Sequence, residues 1–344
     1  MRKALAVVLS FLVTACASTS PSAHDAAIAQ TDAEVAALVE RAKIPGAAIA
    51  VTVGDHIAYH DTLGYADVAA KKAVTMHTRF RVGSVTKVLT AAAILRLAEQ
   101  GRLRLDDPVA KHLPDFPHGE ITLRQLAGHL GGIRHYGPGE FLNTTHYTSA
   151  TASLARFAND PLVAKPGEKY FYTTYGYNVL GAVIERVTGK SYEAALQSLV
   201  FAPAKMKETS FVGNAETTKF YEGEKVAPDV DLSDRLPAGA ALSTARDLAR
   251  FLIATTRRPT DILTTTQTTS DGKATNVGIG WRIARDDQGR TFLHHGGQST
   301  GGRAFVLVYP KERVGVAFVS NLSFAPFSDK EAAAIAARFL PASQ

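Results

Sequence analysis

Patterns typical of β-strands stand at both ends of this chain, and they constrain its fold more than any other feature. Near the start, the runs "AAIAVTV" and "HIAYHDTLGYAD" flank a turn at Gly54 and Asp55, which predicts a β-hairpin. Four more short strands are predicted near the end, separated by turn residues: "GIGWRIAR", "TFLHH", "RAFVLVYP" and "RVGVAFVSN". The sequence therefore predicts an α+β fold in which both ends of the chain complete one antiparallel sheet flanked by helices. Residues 31–105 and 276–340 would form this α/β lobe, and residues 106–275 a mostly helical lobe.

Length and charge agree with a globular protein of two lobes. The chain has 344 residues, whereas single hydrophobic cores rarely grow beyond roughly 250 to 300 residues. Its 38 lysines and arginines outnumber 32 aspartates and glutamates, which gives a formal net charge of +6. The basic residues form neither a run nor a stripe along one helix face, so no nucleic-acid partner is expected.

Two helices near the ends of the predicted domain are indicated by capping boxes. Thr31 with Glu34 has the spacing that starts a helix, which would run through "EVAALVERAK" and stop before Pro45. Ser328 with Glu331 has the same spacing at the start of "SDKEAAAIAARFL". We expect both helices to pack on the sheet.

The first residues have the pattern of a secretion signal. Two positive charges precede an apolar run, residues 4–13, that is too short to span a bilayer as a mature helix. The residues before Cys16 resemble the lipobox of bacterial lipoproteins, in which the cysteine is acylated and becomes the first residue. Cys16 is also the only cysteine, so it has no disulfide to form.

These observations predict an exported bacterial lipoprotein on the periplasmic face of a membrane. Residues 1–15 would be the lipoprotein signal peptide, Cys16 the lipid anchor, and residues 16–30 a tether rich in alanine, serine and threonine. An ordinary cleaved signal followed by an incidental cysteine is the alternative.

A serine and a lysine stand at the start of a strongly apolar helix, residues 84–101. The run "VTKVLTAAAILRLAEQ" has almost no polar face, and a helix that is apolar all round is buried. Ser84 and Lys87 are three residues apart, so their side chains share one face of the helix. Burial lowers the pKa of a lysine toward the value that a base needs, and a helix N-terminus offers backbone amides to an oxyanion. The pattern is that of a serine nucleophile beside its base.

A structural role would explain the same two residues. Ser84 would then cap the helix, and Lys87 would extend its amine to water. The spacing alone does not decide, because a second Ser-x-x-Lys, Ser270 to Lys273, lies in a polar loop. Two further motifs along the chain favour the catalytic interpretation.

These two motifs accompany Ser-x-x-Lys in serine β-lactamases and penicillin-binding proteins. Tyr172 to Thr174 resembles the Tyr-x-Asn triplet of the class C branch and its esterase and peptidase relatives, and lies on a loop just before a predicted helix. His294, His295 and Gly296 resemble the third triplet, a lysine or histidine, any residue and glycine, ahead of a strand. The segments "GHLGGIRHY", "NDPLVAKPGEKYFYTTYGY" and "GAALSTARDLARF" are similar to the mitochondrial serine β-lactamase-like branch of this family.

The resemblance, which spans residues 32–340, implies a five-stranded antiparallel sheet beside a helical lobe, with the active site between them. Ser84 would be the acylated nucleophile and Lys87 its proton partner. Tyr172 would be a second base, acting on Ser84 or on the deacylating water. The backbone amides of Ser84 and Gly297 would bind the oxyanion. The other residues around the substrate would be Thr174, His294, His295 and Gly296. Neither a cofactor nor a metal is implied.

Two departures from the family pattern bear on the substrate. Thr174 stands where asparagine is usual, so a hydroxyl replaces an amide that would orient the substrate. His294 would replace a lysine, and a histidine with a pKa of about 6.5 is mostly neutral at pH 7. A neutral histidine is a poor anchor for the carboxylate of a penicillin. We therefore expect a serine hydrolase that acts on peptides or esters and is at most a weak β-lactamase. A genuine β-lactamase or D-alanyl-D-alanine carboxypeptidase is the alternative.

Other classes of protein fit the sequence less well. Residues 297–301 have the Gly-x-Ser-x-Gly pattern of a nucleophile elbow, but that elbow needs a helix next and a histidine later, and neither follows Ser299. The eleven histidines include no His-Glu-x-x-His, so a zinc hydrolase is not favoured. A non-catalytic member that binds cell-wall ligands or assembles stays open. The expected partners are a small-molecule or peptide substrate, a membrane through the N-terminal lipid, and further copies of the chain in a homo-oligomer.

Overall fold

The computed structural model describes residues 24–257 and 261–341. Its strands are β1 (Gly46–Val53), β2 (His56–Asp67), β3 (Lys72–Ala73), β4 (Phe80–Arg81), β5 (Tyr221–Glu222), β6 (Lys225–Val226), β7 (Leu242–Ser243), β8 (Arg282–Arg285), β9 (Thr291–Ser299), β10 (Gly302–Tyr309) and β11 (Val314–Ser320). Its α-helices are α1 (Asp25–Arg41), α2 (Thr86–Glu99), α3 (Leu123–Ala127), α4 (Ala150–Ser153), α5 (Tyr175–Thr188), α6 (Tyr192–Leu196), α7 (Leu236–Gly239), α8 (Ala245–Thr256), α9 (Asp261–Thr264) and α10 (Asp329–Ala337).

Seven of these strands form one antiparallel sheet in the order β3-β2-β1-β11-β10-β9-β8. Strands β1 and β11 pair along their whole length, from Ala47 opposite Ser320 to Val53 opposite Val314. Both ends of the chain therefore complete one sheet, and the predicted fold class is confirmed. The resemblance implied five strands, whereas the sheet has seven because β3 and β8, two and four residues long, extend its edges.

The sheet separates two hydrophobic cores, because successive side chains of a strand point to opposite faces. On one face, Ile49 of β1 and Phe318 of β11 pack among side chains of α1 and α10. On the other face, Ala48 and Ala50 join the larger core of α2, α5 and α8. The face that a strand residue occupies therefore decides which core it contacts.

Helix α1 begins at Asp25, six residues before the predicted start, so the predicted capping box at Thr31 is wrong. Thr31 lies inside the helix, fully buried, and its hydroxyl donates to the backbone oxygen of Ala27 at 2.7 Å. Residues 25–30 of the predicted tether are thus helical. Cys16 and the predicted signal lie outside the described residues, so the lipid anchor stays a prediction.

Helix α10 begins where the sequence predicts. The hydroxyl of Ser328 caps the helix, and the backbone amide of Ser328 donates a hydrogen bond to the Glu331 carboxylate at 2.9 Å. Across residues 24–257 and 261–341, none of the helices combines the length and the apolar character that a bilayer crossing requires.

Candidate active site

Ser84 lies on a 3-10 turn, Gly83–Val85, directly before α2. No side chain caps this turn or the helix, so the capping role considered for Ser84 is wrong. The hydroxyl oxygen of Ser84 instead accepts hydrogen bonds from Lys87 Nζ at 3.1 Å and from the Tyr172 hydroxyl at 2.8 Å. Two of the three predicted motifs therefore meet on one oxygen atom.

Lys87 is fully buried, with no solvent exposure, so the alternative in which its amine reaches water is wrong. Its Nζ also donates to the backbone oxygen of Ala238 at 2.9 Å and lies 3.5 Å from Thr174 Oγ1. No carboxylate lies among these contacts. Burial, followed by the positive charges of Arg235 and Arg282, holds the pKa of Lys87 well below its ordinary value of 10.5.

Tyr172 lies on a loop three residues before the start of α5, as predicted. Its ring centroid lies 5.0 Å from Lys87 Nζ. Burial raises the pKa of the Tyr172 phenol to about 12, although its hydrogen bond with Ser84 acts in the opposite direction. The phenol is therefore protonated at neutral pH and acts as a donor to Ser84.

Two histidines to which the sequence analysis assigned no role hold the Tyr172 loop. The backbone amide of Thr173 donates to His129 Nδ1 at 3.3 Å, and that of Thr174 donates to His135 Nδ1 at 3.2 Å. The two imidazole rings also lie 4.5 Å and 5.6 Å from the Tyr172 ring. Burial lowers the pKa of both histidines, to about 4 for His135, so both rings are neutral acceptors at pH 7. The segment "GHLGGIRHY" was the available signal.

The third motif lies inside β9, ahead of β10, so its two neighbouring histidines point to opposite faces of the sheet. His294 faces α10 and stacks on Phe305 at 5.7 Å, so the predicted place of His294 beside the substrate is wrong. His295 points to the opposite face, is buried, and has its ring 6.5 Å from that of Tyr172. Burial lowers the pKa of His294 to about 4 and that of His295 to about 3, so neither ring carries charge at neutral pH.

Strand β9 packs directly against the turn that holds Ser84, and two glycines allow this approach. A Cβ on Gly297 would lie 1.9 Å from the backbone oxygen of Val82. A Cβ on Gly83, whose φ is +51°, would lie 2.5 Å from the backbone oxygen of Gln298 and 2.6 Å from its nitrogen. Backbone atoms of Gln298 therefore lie directly beside the Ser84 turn, and the absence of a side chain on Gly297 makes room for this approach.

Substitution of Gly297 by alanine is expected to destabilise the protein by about 1 to 3 kcal/mol and to displace the Ser84 turn, because backbone atoms cannot move away cheaply. Gly296→Ala is the matched control in the same strand. A Cβ on Gly296 would meet the Phe305 ring at 3.3 Å on the opposite face, which also corrects the predicted place of Gly296 at the substrate. Urea denaturation compares the two variants, and equal stabilities would contradict the close approach.

A cavity of about 160 Å³ opens beside the nucleophile. Ser84, Tyr172 and Thr174 line it, together with Arg235 and Ser299. The sequence analysis did not identify Arg235, because no local pattern distinguishes it from other arginines. It reaches the cavity from a position about 150 residues after Ser84 in the chain.

The competing classes of site are not supported by the arrangement of these residues. Ser299 is the last residue of β9, and Thr300 and Gly301 turn the chain into β10, so a strand rather than a helix follows it. Within the described parts of the chain, no three histidine, cysteine, aspartate or glutamate side chains are grouped so that they could hold a metal ion.

Comparison with known sequences places this site in context. The family model described as "Beta-lactamase" matches residues 31–339. Protein flp of Staphylococcus aureus strain MRSA252 is 27% identical over 311 residues, which cover 83% of this chain and 61% of flp. The human mitochondrial serine beta-lactamase-like protein LACTB is 28% identical over 287 residues, which cover 60% of this chain and 52% of LACTB. The chain thus spans less than two thirds of the length of these curated relatives.

Solved structures give the same picture. The octameric penicillin-binding protein homologue from Pyrococcus abyssi superposes with a TM-score of 0.77 at 26% identity. The match covers 89% of this chain and 75% of the homologue's chain. A penicillin-binding protein from Bacillus halodurans gives 0.75 at 25% identity, covering 89% and 99%. A class C beta-lactamase gives 0.78 at 18% identity, covering 93% and 97%, a likeness that shows the fold alone.

Proposed function

We propose that this chain, which belongs to the beta-lactamase family, is a serine hydrolase. It would cleave amide or ester bonds through an acyl-enzyme on Ser84. The proposal rests on one observation: the Ser84 hydroxyl lies within hydrogen-bond reach of both Lys87 Nζ, at 3.1 Å, and the Tyr172 phenol, at 2.8 Å. A nucleophile with a base and an acid in reach is the arrangement that covalent catalysis needs.

Lys87 is the base of the resting enzyme in this proposal. Its lowered pKa makes the neutral amine more accessible than that of an ordinary lysine, and a neutral amine can accept the proton of Ser84 as the hydroxyl attacks a carbonyl carbon. The Ser84 O–H bond breaks, a bond from Oγ to the carbonyl carbon forms, and the proton moves to Nζ. The ammonium then keeps its contact with the backbone oxygen of Ala238.

Tyr172 serves better as an acid than as the second base that the sequence analysis predicted. Its pKa of about 12 keeps the phenol protonated, and its proton points at Ser84 Oγ, beside the place where a leaving group departs. Tyr172 would deliver this proton to the leaving group and regain one from the Lys87 ammonium, whose Nζ lies 5.0 Å from the Tyr172 ring centroid.

The developing oxyanion would lie between two backbone amides. Ser84 offers its own amide at the start of α2, where the positive end of the helix dipole adds to the field. The second amide would be that of Gln298, whose nitrogen lies beside the Ser84 turn. Donors fixed before the reaction stabilise the transition state without reorganisation.

Peptides or esters fit this site better than β-lactams do. His295 occupies the place on β9 from which a lysine would offer charge, and its pKa of about 3 leaves it neutral. Strand β9 therefore presents no fixed cation to a penicillin carboxylate. We propose weak β-lactam hydrolysis at most, as the sequence predicts through the neighbouring residue His294.

A fluorophosphonate probe tests the proposed function. Intact-protein mass spectrometry after brief exposure should show a single adduct, and peptide mapping should place it on Ser84, because among the residues that the structure describes this hydroxyl alone contacts both Lys87 and Tyr172. An adduct on Ser299 would support the elbow that the fold argues against. Absence of any adduct on folded protein would overturn the proposal and favour a non-catalytic binding or assembly role.

Membrane anchoring and assembly remain proposals beyond the site. The anchor rests on the sequence around Cys16 alone. Homo-oligomer formation is supported by the octameric Pyrococcus abyssi homologue, whose assembly is a property of that protein.

A further inference from the structure

An apolar groove of about 290 Å³ lies against the second half of α2, away from the nucleophile. Its most buried lining side chains are Trp281 and Phe251, which are 2% and 3% exposed and whose rings stack at 6.2 Å. Leu95 of α2 also lines it, roughly 16 Å along the helix from Ser84. The groove and the cavity beside Ser84 share no lining residue, so the two sites are distinct.

One wall of this groove is a π-helical segment, Gln197–Phe201, which contributes Leu199 and Val200. Such segments are rare and occur frequently at functional sites. Packed interiors leave few voids larger than a water molecule, whereas this groove has room for about ten groups of that size, at roughly 30 Å³ each. It therefore has the capacity to bind a small apolar molecule.

The charged residues of the groove leave one arginine with free donors. Arg96 Nη1 and Glu99 Oε2 line the groove and pair with each other at 2.8 Å. Arg257 also lines it and donates from Nε to Asp55 at 2.8 Å, but Arg313 donates to the same carboxylate oxygen. One negative charge is thus shared by two guanidinium groups. Among the described residues, Nη1 and Nη2 of Arg257 have no partner, and its side chain is 51% exposed.

We propose that the groove binds a medium-chain carboxylic acid such as decanoate, with the alkyl chain over Trp281 and the carboxylate at Arg257. The apolar lining removes the alkyl chain from water, and a guanidinium group with free nitrogens suits a carboxylate. A cationic chain of the same length would be repelled by Arg257. The inference goes beyond the proposed hydrolase function, because no residue of the groove belongs to the active site.

Trp281 provides the measurement, because it is the only tryptophan of the chain. Its fluorescence should change saturably when the protein is titrated with hexanoate, octanoate, decanoate and dodecanoate below their micellar concentrations. Affinity should rise by about twofold to fourfold per methylene, and the rise should stop near ten carbons, where the volume is filled. Calorimetry should give one molecule per chain. Neither a saturable fluorescence change nor a heat of binding with any of the acids would overturn the inference.

A comparison of head groups tests the role of Arg257. Decanoate should bind about twofold to fivefold tighter than decanol, as for one partly exposed charge pair, and decylamine should bind most weakly. Arg257→Gln should abolish the advantage of decanoate over decanol. Asp55→Asn should increase it, because Asp55 competes for the same guanidinium group. Equal affinities for acid, alcohol and amine in the wild type would contradict the proposed ligand class.

Arg285→Gln is the matched control for charge. It removes the same charge from an exposed arginine that does not line the groove, so the preference for decanoate should persist. Ala254→Phe fills the groove and should abolish binding of decanoate and decanol alike, whereas Ala334→Phe, at an exposed position of α10, should not. Circular dichroism and thermal melting verify the fold. If Ala254→Phe does not fold, the variants of Arg257 and Asp55 still decide.

Blocking Ser84 separates this site from the active site. Protein that carries a fluorophosphonate adduct on Ser84 should bind decanoate as tightly as unlabelled protein. Loss of binding after labelling would place decanoate beside Ser84, which would overturn the inference and leave the hydrolase intact. Binding of decanoate to folded protein that no probe labels, with the expected effects of Arg257→Gln and Ala254→Phe, would support the groove and overturn the hydrolase.

Discussion

Replacement of Ser84 by alanine is expected to lower kcat/KM for an activated ester by about 1,000-fold or more, because it removes the only atom that would bond to the substrate. The change deletes one partly exposed oxygen that accepts from Lys87 and Tyr172, so the surrounding structure keeps its packing. Lys87 also keeps its contact with the backbone oxygen of Ala238. Steady-state kinetics and the loss of an acyl-enzyme burst measure the effect.

The chain contains its own matched control for this experiment. Ser270 stands three residues before Lys273, with the same spacing as the proposed pair, but its amide bonds to the backbone oxygen of Gly167 in a loop away from the cavity. Ser270→Ala should therefore leave kcat/KM unchanged. An active Ser84→Ala variant, with Ser270→Ala equally active, would remove Ser84 from the chemistry altogether.

The sheet was accessible from the sequence because its information is local. Strands β1, β2, β10 and β11 are each a run of β-forming residues bounded by turn residues, and this signal lies within the run itself. The start of α1 was missed for the same reason. A capping box at Thr31 looks alike at a helix start and inside a helix, and only the burial of Thr31 in the folded protein distinguishes the two.

The residues of the candidate site that lie in short local motifs could be predicted, whereas those that reach the site only through tertiary packing could not. Ser84, Lys87 and Tyr172 were identified by motif, and the structure brings them together. His294 was chosen over His295 because His294, His295 and Gly296 match the third triplet, although residues 295–297 match it equally well. A shift of one residue in a strand exchanges its two faces. His135 and Arg235 reach the site only through tertiary packing, which a single sequence does not display.

Lys87→Met is expected to have opposite effects on activity and on stability. Methionine fills a similar volume with an apolar side chain but cannot accept a proton, so the rate of acylation should fall by about 100-fold to 10,000-fold, the range for loss of a general base. The native state, in contrast, no longer has to bury an amine whose charged form is disfavoured there. Ester kinetics and urea denaturation of the same preparations measure both effects.

The pH dependence of the free energy of unfolding provides a second test of the buried amine. The pKa of Lys87 is lowered in the native state, so between that lowered value and the ordinary 10.5 the unfolded chain binds more protons than the native one. Wild-type stability should therefore rise with pH in this window, by up to about 1.4 kcal/mol per pH unit, and Lys87→Met should lack the rise. Measurements from pH 7 to 9.5 avoid Tyr172, whose pKa of about 12 acts higher, and His135 and His295, whose values of about 4 and 3 act lower.

Lys273→Met supplies the control, because Lys273 is exposed and lies in the second Ser-x-x-Lys. Its stability should run parallel to that of the wild type at every pH, and its activity should be unchanged. Burial is the largest cause of both expected effects at Lys87, since it favours the neutral amine that catalysis needs and penalises the protonated amine in the fold. A loss of activity without the change in pH dependence would mean that Lys87 works as a charge that stabilises the oxyanion, and the assignment of the base would pass to Tyr172.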